Sequence, residues 1–192
     1  MTNSQRLQAS GAKRRRLMSA AAQVVHRQGA ERTTIADIAR AADVPVGNVY
    51  YYFKTKDELV AAALAEHGQQ LELVTGELNR VADPRERLKG LVEGWVSQRE
   101  VAARYGCPTG TLAAELGKRE EGDLDVAAGD LIRLLLDWVA GRFRELGQPD
   151  PDGLAVTLVG AYQGMSVLAN ALRDPEIMTR EGARLIAWLD SL

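Results

Sequence analysis

Cysteine is nearly absent from this chain. Cys107 is the single one in 192 residues, which excludes an internal disulfide and any multi-cysteine metal site. Histidine is almost as scarce: His26 and His67 lie far apart, with no metal-ligand spacing. No unbroken run of 18 apolar residues occurs, so no segment is expected to span a membrane. The opening Met-Thr-Asn-Ser-Gln-Arg lacks the apolar core of a signal peptide, and a cytoplasmic protein is expected. Alternating β-branched runs are very few and no 20-residue repeat is visible, so the fold class expected is all-α. Reaction motifs are missing too. The chain carries no nucleophile elbow, no His-Glu-x-x-His, no phosphate loop and no framed carboxylate pair. Neither an enzyme nor a bound cofactor or metal is expected, and a small helical enzyme is the remote alternative.

Charge is present but uneven. The net value is −2. Residues 1–56 hold ten Lys or Arg against three Asp or Glu, whereas residues 57–192 hold fourteen against twenty-three. A basic head on an acidic body fits a head that meets phosphate. Four of the head's cations stand in a row, Lys13-Arg14-Arg15-Arg16. Residues 1–12 before them are polar, with disorder expected at their tip. A helix is expected from the cations onward, with Leu17, Ala21, Val24 and Val25 inward and Gly29 as its C-terminal cap. Cations at a helix N-terminus oppose its dipole, so the run makes more sense beside a phosphate backbone.

The stretch Thr34 to Phe53 organises the chain. Thr34 and Asp37 have capping-box spacing, so a helix should open there. Ile35, Ile38, Ala39 and Ala42 recur on one face of it. Asp43-Val44-Pro45 then breaks the pattern, since Asp tolerates a left-handed turn and Pro cannot continue a helix interior. A second helix fits Val46 to Tyr52. Two short helices joined by a tight turn form a helix-turn-helix, whose second helix enters the DNA major groove.

Thr34-x-x-Asp37-Ile38-Ala39, Val44, Gly47-Asn48-Val49-Tyr50-Tyr51-x-Phe53 and Lys54-Thr55-Lys56-Asp57-Glu58-Leu59 together resemble the DNA-binding domain of the TetR family of bacterial transcriptional repressors. The match covers about 45 residues and is more specific than a bare helix-turn-helix. Asp43 stands where that family usually has a turn glycine, and Pro45-Val46 where it often has Ser-Lys. The resemblance implies that Tyr50 and Tyr51 contact phosphate and bases and that Lys56 meets phosphate. From the residues themselves, Val46, Gly47 and Asn48 stand on the reading helix, where Gly47 permits close approach to DNA. Thr33 and Thr34 lie at a helix N-terminus, which suits a phosphate. Val49 and Phe53 are expected in the core.

Two domains are expected: a DNA-binding head over 1–56 and a helical body over 57–192. Thr55 and Glu58 form a second capping-box spacing, opening a long helix with a stripe of Val60, Leu64, His67, Leu71, Val74 and Leu78. Asp83-Pro84 opens the next, running toward Gly106 with Leu88, Leu91, Val92, Trp95 and Val96 inward. Gly106-Cys107-Pro108-Thr109-Gly110-Thr111-Leu112-Ala113-Ala114-Glu115 follows. It resembles a segment of one subgroup of the family, the LmrA/YxaF-like regulators. Pro108 suits a first helical position, which puts Cys107 at the cap. A thiol there either lies buried and inert or senses oxidants and electrophiles.

Gly117 to Asp125 reads as a charged connector. A wide apolar face over Leu131, Ile132, Leu134, Leu135, Leu136, Trp138, Val139 and Phe143 predicts a centrally buried helix. The last two helices carry Leu154, Leu158, Tyr162, Met165, Leu168, Ala169 and Leu172, then Met178, Leu185, Ile186, Trp188 and Leu189.

The resemblance implies that these last two helices pair with their copies in a homodimer, and that the Lys56–Asn79 helix carries ligand binding to the reading helix. A dimer also follows from the reading helix itself, since seven residues cover too few bases. The body would then enclose a largely apolar small-molecule effector. Pocket candidates are His67, Trp95, Tyr105, Cys107, Trp138, Tyr162, Gln163 and Met165. The expected function is a repressor of double-stranded operator DNA released by that effector, with a Cys107 redox sensor as the alternative.

Overall fold

The computed structural model describes residues 3–118 and 123–192, with side chains from residue 10 onward. The described residues form ten α-helices and no strand. They divide into two compact units, Met1–Gly68 with Thr111–Gly129, and Gln69–Gly110 with Asp130–Leu192. These units divide the chain elsewhere than at 56/57. The reason lies in α4 (Lys56–Leu78), which buries Leu59, Val60, Ala62, Ala63 and Leu64 in its first half. The head therefore keeps the start of that helix.

In the first unit, α1 runs Asn3–Gln28. The helix expected to follow the cation run begins at Asn3 instead, and residues 1–2 of the tip lie outside the described residues. The four cations therefore sit well inside the helix, beyond the first turn where its dipole acts. Gly29 ends α1 at φ +83°, with its N–H donating to Val25 O at 2.8 Å. Next, α2 spans Ile35–Ala41 and α3 spans Val46–Tyr52. The capping box at Thr34 and Asp37 is complete in both directions. Asp43 takes up the left-handed turn at φ 52°. Leu17, Ala21, Ile38, Ala39, Val49 and Phe53 form the core under these helices.

At the start of α4 the Thr55 hydroxyl accepts from Glu58 N–H at 3.1 Å, as its spacing predicts. The return bond goes one residue further, from Lys54 N–H to the Glu58 carboxylate at 2.7 Å. This unit also holds most of α7 (Pro108–Leu116), where Leu112 and Leu116 are buried, and the start of α8 (Leu124–Glu145). Residues 119–122 of the expected connector lie outside the described residues.

The second unit packs α5 (Pro84–Ser97), α6 (Arg99–Tyr105), α9 (Pro151–Leu172) and α10 (Glu176–Ser191) with the rest of α8. Asp83 caps α5 by accepting from Arg85 N–H. The single helix expected up to Gly106 is broken at Gln98, whose backbone (φ −94°, ψ 11°) both ends α5 and begins α6. One buried cluster joins Leu88, Val92, Val139, Phe143, Leu158 and Leu189. A second joins Ala102, Ala103, Met165, Ala169, Ile177 and Met178.

α8 is not centrally buried: Leu134 is 53% exposed, and its apolar face is wider than this unit covers. α9 ends at Arg173, which is left-handed at φ 54°. That side chain bonds the Ala103 and Arg104 carbonyls and so caps α6. By length and composition alone α9 would suffice to cross a membrane, although the sequence lacks an unbroken apolar run. A globular core helix meets the same measure, and α9 buries Ala155, Leu158, Val159, Met165, Ser166 and Ala169.

Candidate nucleic-acid interface and buried polar cluster

α3 separates its residues by side. Val49 is fully buried and Phe53, just after the helix, nearly so, which roots it in the core. Tyr50 is 47% exposed and Tyr51 75%. Asn48, Gly47 and Val46 are exposed as well. A methyl group added at Gly47 would meet nothing within 4 Å, so the backbone there is open to an approaching surface.

Tyr52 has a different task. Its hydroxyl accepts from Ser10 Oγ at 3.3 Å, and its ring meets Tyr51 edge-on at 5.0 Å. Arg14, one turn further along α1, lies 5.4 Å over the Phe53 ring and donates to Met18 Sδ. The N-terminal half of α1 thus props the end of α3.

The flanking candidates are held in place by local bonds. Thr34 accepts from Asp37 N–H at 3.1 Å and donates to the Asp37 carboxylate at 2.6 Å. The Thr34 hydroxyl, and after it the Thr34 N–H at 3.1 Å, hold the Asp37 carboxyl below its ordinary pKa. Thr33 is turned inward: it is 1% exposed and its hydroxyl donates to Gly29 O at 2.6 Å. Its side chain braces the loop, and the phosphate expectation is not supported for that hydroxyl. Lys56 is half-buried and donates to Glu31 O at 2.5 Å.

In the second unit the pocket candidates fall into two places. Trp95 and Tyr162 stack at 4.2 Å between centroids. Met165 belongs to the core cluster against which both pack. Cys107 is buried, and its sulfur accepts from Gly110 N–H at 3.3 Å and from Gln163 Nε2 at 3.6 Å. Burial pushes the Tyr162 phenol well above its ordinary pKa, with the neighbouring Cys107 adding to the shift. These five therefore gather.

Trp138 packs with the other cluster and donates its indole N–H to Asn79 Oδ1 at 3.1 Å, under the Arg142 guanidinium. Tyr105 is half-buried beneath Arg104. His67 belongs to the first unit.

Sequence reasoning missed Ser166 and Asn170. Ser166 is fully buried and its Oγ has no hydrogen-bond partner among the described residues. Asn170 donates to Ala103 O at 3.2 Å. With Tyr162 and Gln163 they mark one side of α9 at helical spacing, a signal visible in the sequence as polar residues recurring in an apolar helix.

Comparison with known proteins decides what this head is. Residues 17–63 match the model of the bacterial regulatory proteins of the tetR family. The chain belongs to the TetR family of transcriptional regulators. A helix-turn-helix transcriptional regulator from Lactococcus lactis is 31% identical over 110 residues, 55% of this chain and 56% of the relative. One from Mycobacterium tuberculosis is 27% identical over 170 residues, covering 84% and 86%. A TetR regulator structure from Chloroflexus aurantiacus superposes with a TM-score of 0.81 at 19% identity, covering 95% and 96%, which shows a common fold. These matches support the family as a whole and not the LmrA/YxaF-like subgroup. The matched residues include α2 and α3, the helix-turn-helix pair.

Proposed function

We propose that the protein is an effector-responsive repressor, acting as a homodimer on a palindromic operator. The observation that carries this reading is the exposed row Val46, Gly47, Asn48, Tyr50 and Tyr51 on a helix whose other side is locked into the core. Tyrosine hydroxyls and Asn48 supply contacts to phosphate and base edges, while Thr34 and Lys56 flank them for phosphate. Lys56 would exchange the Glu31 carbonyl for a phosphate oxygen.

The effector site is the cluster of Trp95, Cys107, Tyr162, Gln163 and Met165. It presents apolar walls with a few polar atoms, among them the Ser166 hydroxyl, which has no partner among the described residues, and this suits a small, largely apolar molecule. The effector lowers operator affinity only through its different affinity for the two states. Coupling of about 1–3 kcal/mol would change operator affinity roughly five- to 150-fold. Burial of Cys107 favours a packing role over redox sensing.

The test is binding of the purified protein to its own upstream DNA at several salt concentrations. Saturable, sequence-selective binding with a steep salt dependence is expected. Binding indifferent to sequence would count against the reading.

A further inference from the structure

On the connection between α1 and α2, two successive backbone N–H groups converge on one carboxylate. Ala30 N–H donates to Glu115 Oε2 at 2.8 Å and Glu31 N–H to Oε1 at 2.5 Å. Gly29 makes room for this. A Cβ there would lie 3.0 Å from Oε2, and the backbone is already left-handed. Position 29 therefore needs glycine for two independent reasons.

Glu115 comes from α7, far along the chain, and is anchored by buried Leu112 and Leu116. The same connection receives Lys56 Nζ on Glu31 O, the Thr33 hydroxyl on Gly29 O, and Gln28 Nε2 on Arg32 O. One short loop thus ties together the end of α1, the entry to α2, the first residue of α4, and α7.

A carboxylate accepting from backbone amides forms stronger bonds than a neutral acceptor would. Ala30 is fully buried, so without Glu115 its N–H would be left without that acceptor. α7 has nine residues, roughly 13 Å of helix. Its first turn carries Gly110, against which the Gln163 amide is packed too closely to admit a methyl group. Glu115 sits near the other end of the same helix.

We propose that Glu115 is a positioning residue for DNA binding, a carboxylate latch through which α7 sets where α2 and α3 stand. Displacement of α7 opens the latch. This rests on the DNA-binding regulator reading above and names the contact that regulates it.

The experiment is amide hydrogen exchange on the full chain as wild type, Glu115→Gln and Glu115→Ala, with binding to its own upstream DNA measured alongside. In the alanine variant the Ala30 and Glu31 amides should exchange at least tenfold faster. The loss of protection should spread to Val44, Asn48 and Phe53, while amides of α10 keep theirs. DNA affinity should fall at least fivefold. Gln keeps one acceptor oxygen and should lie between the two, which also separates loss of the latch from a head that fails to fold. Protection lost only at Ala30 and Glu31, with wild-type DNA affinity, would overturn the proposal and leave Glu115 a local cap. A wild-type chain that ignores its upstream DNA would count against the regulator reading, while the exchange arm would still decide the latch.

Discussion

The Trp95 and Tyr162 rings lie 4.2 Å apart and within 12° of parallel, joining α5 to α9. Stacked pairs contribute about 0.5–1.5 kcal/mol beyond the area they bury. A double-mutant cycle with Trp95→Leu and Tyr162→Leu, read by denaturant unfolding, should return a coupling energy in about that range. Additive effects of the two substitutions would show that the stack contributes nothing of its own.

Opposite sides of α3 should respond differently to truncation. Tyr51→Ala removes an exposed ring, so stability should stay within about 0.5 kcal/mol of wild type while DNA affinity falls. Val49→Ala removes two fully buried methyl groups and should cost about 2 kcal/mol. Thermal unfolding paired with DNA titration checks both. A large stability loss from Tyr51→Ala would mean that the ring belongs to the core rather than to the interface.

Sequence legibility follows how local each signal is. The box at Thr34 and Asp37, the left-handed Asp43, the short α3 and the start of α7 at Pro108 all depend on residues within a turn of one another, and all can be read directly. The break at Gln98 carries no proline or glycine to announce it. The reach of α1 back to Asn3 is hidden because a polar stretch without apolar periodicity looks the same in helix and in coil. Contacts such as Glu115 with Ala30 and Ser10 with Tyr52 depend on pairings across 85 and 42 residues. No local pattern encodes those. The inward turn of Thr33 is equally silent in the sequence, since it depends on where the loop carries the Gly29 carbonyl. Of the effector candidates, Cys107 and Gln163 do meet, but no spacing rule links residues on separate helices.

His67 should make the protein sensitive to acid. Burial, and then the charge of His26, lower its pKa from 6.5 to about 4, and its Nε2 has no partner among the described residues. Above pH 6.5 the imidazole is neutral in both folded and unfolded chains, and its contribution to stability is fully present. Between 6.5 and 4 the unfolded chain binds the proton and the folded one does not. Stability therefore falls by up to about 1.4 kcal/mol per pH unit, roughly 3 kcal/mol in all. Denaturant midpoints at pH 7.0, 5.5 and 4.5 should show a shallower decline in His67→Leu than in wild type. Parallel declines would place the acid sensitivity elsewhere.

Two glycines should respond to alanine with opposite signs. Gly182 on α10 is buried against the Val96 side chain, and a methyl group would collide with it. Valine is stiff at χ1, so Gly182→Ala should cost about 1–3 kcal/mol. Gly47 in α3 has open space around it, and alanine there should gain up to about 1 kcal/mol of helix propensity. That gain should come with weaker DNA binding, because the methyl group stands on the reading surface. Unchanged DNA affinity in a stabilised Gly47→Ala protein would remove Gly47 from the interface.

The outer side of α9 is the surface on which a second copy should dock. Val156, Val167, Leu168 and Leu172 are each more than half exposed, and a methyl group added at Gly160 or Gly164 between them would meet nothing within 4 Å. Apolar residues in such a stripe normally mark an interaction surface, and small residues at its centre let two helices approach closely. A single α3 reads too few base pairs, so operator binding should depend on this pairing. Leu168→Glu combined with Leu172→Glu places charges on exposed positions, so the helical circular dichroism signal should be retained. Sedimentation should shift from dimer to monomer, and operator affinity should drop at least tenfold, since the two half-sites are then bound independently. A variant that still sediments as a dimer would move the interface to another face, with the broad exposed side of α8 around Leu134 the next to substitute.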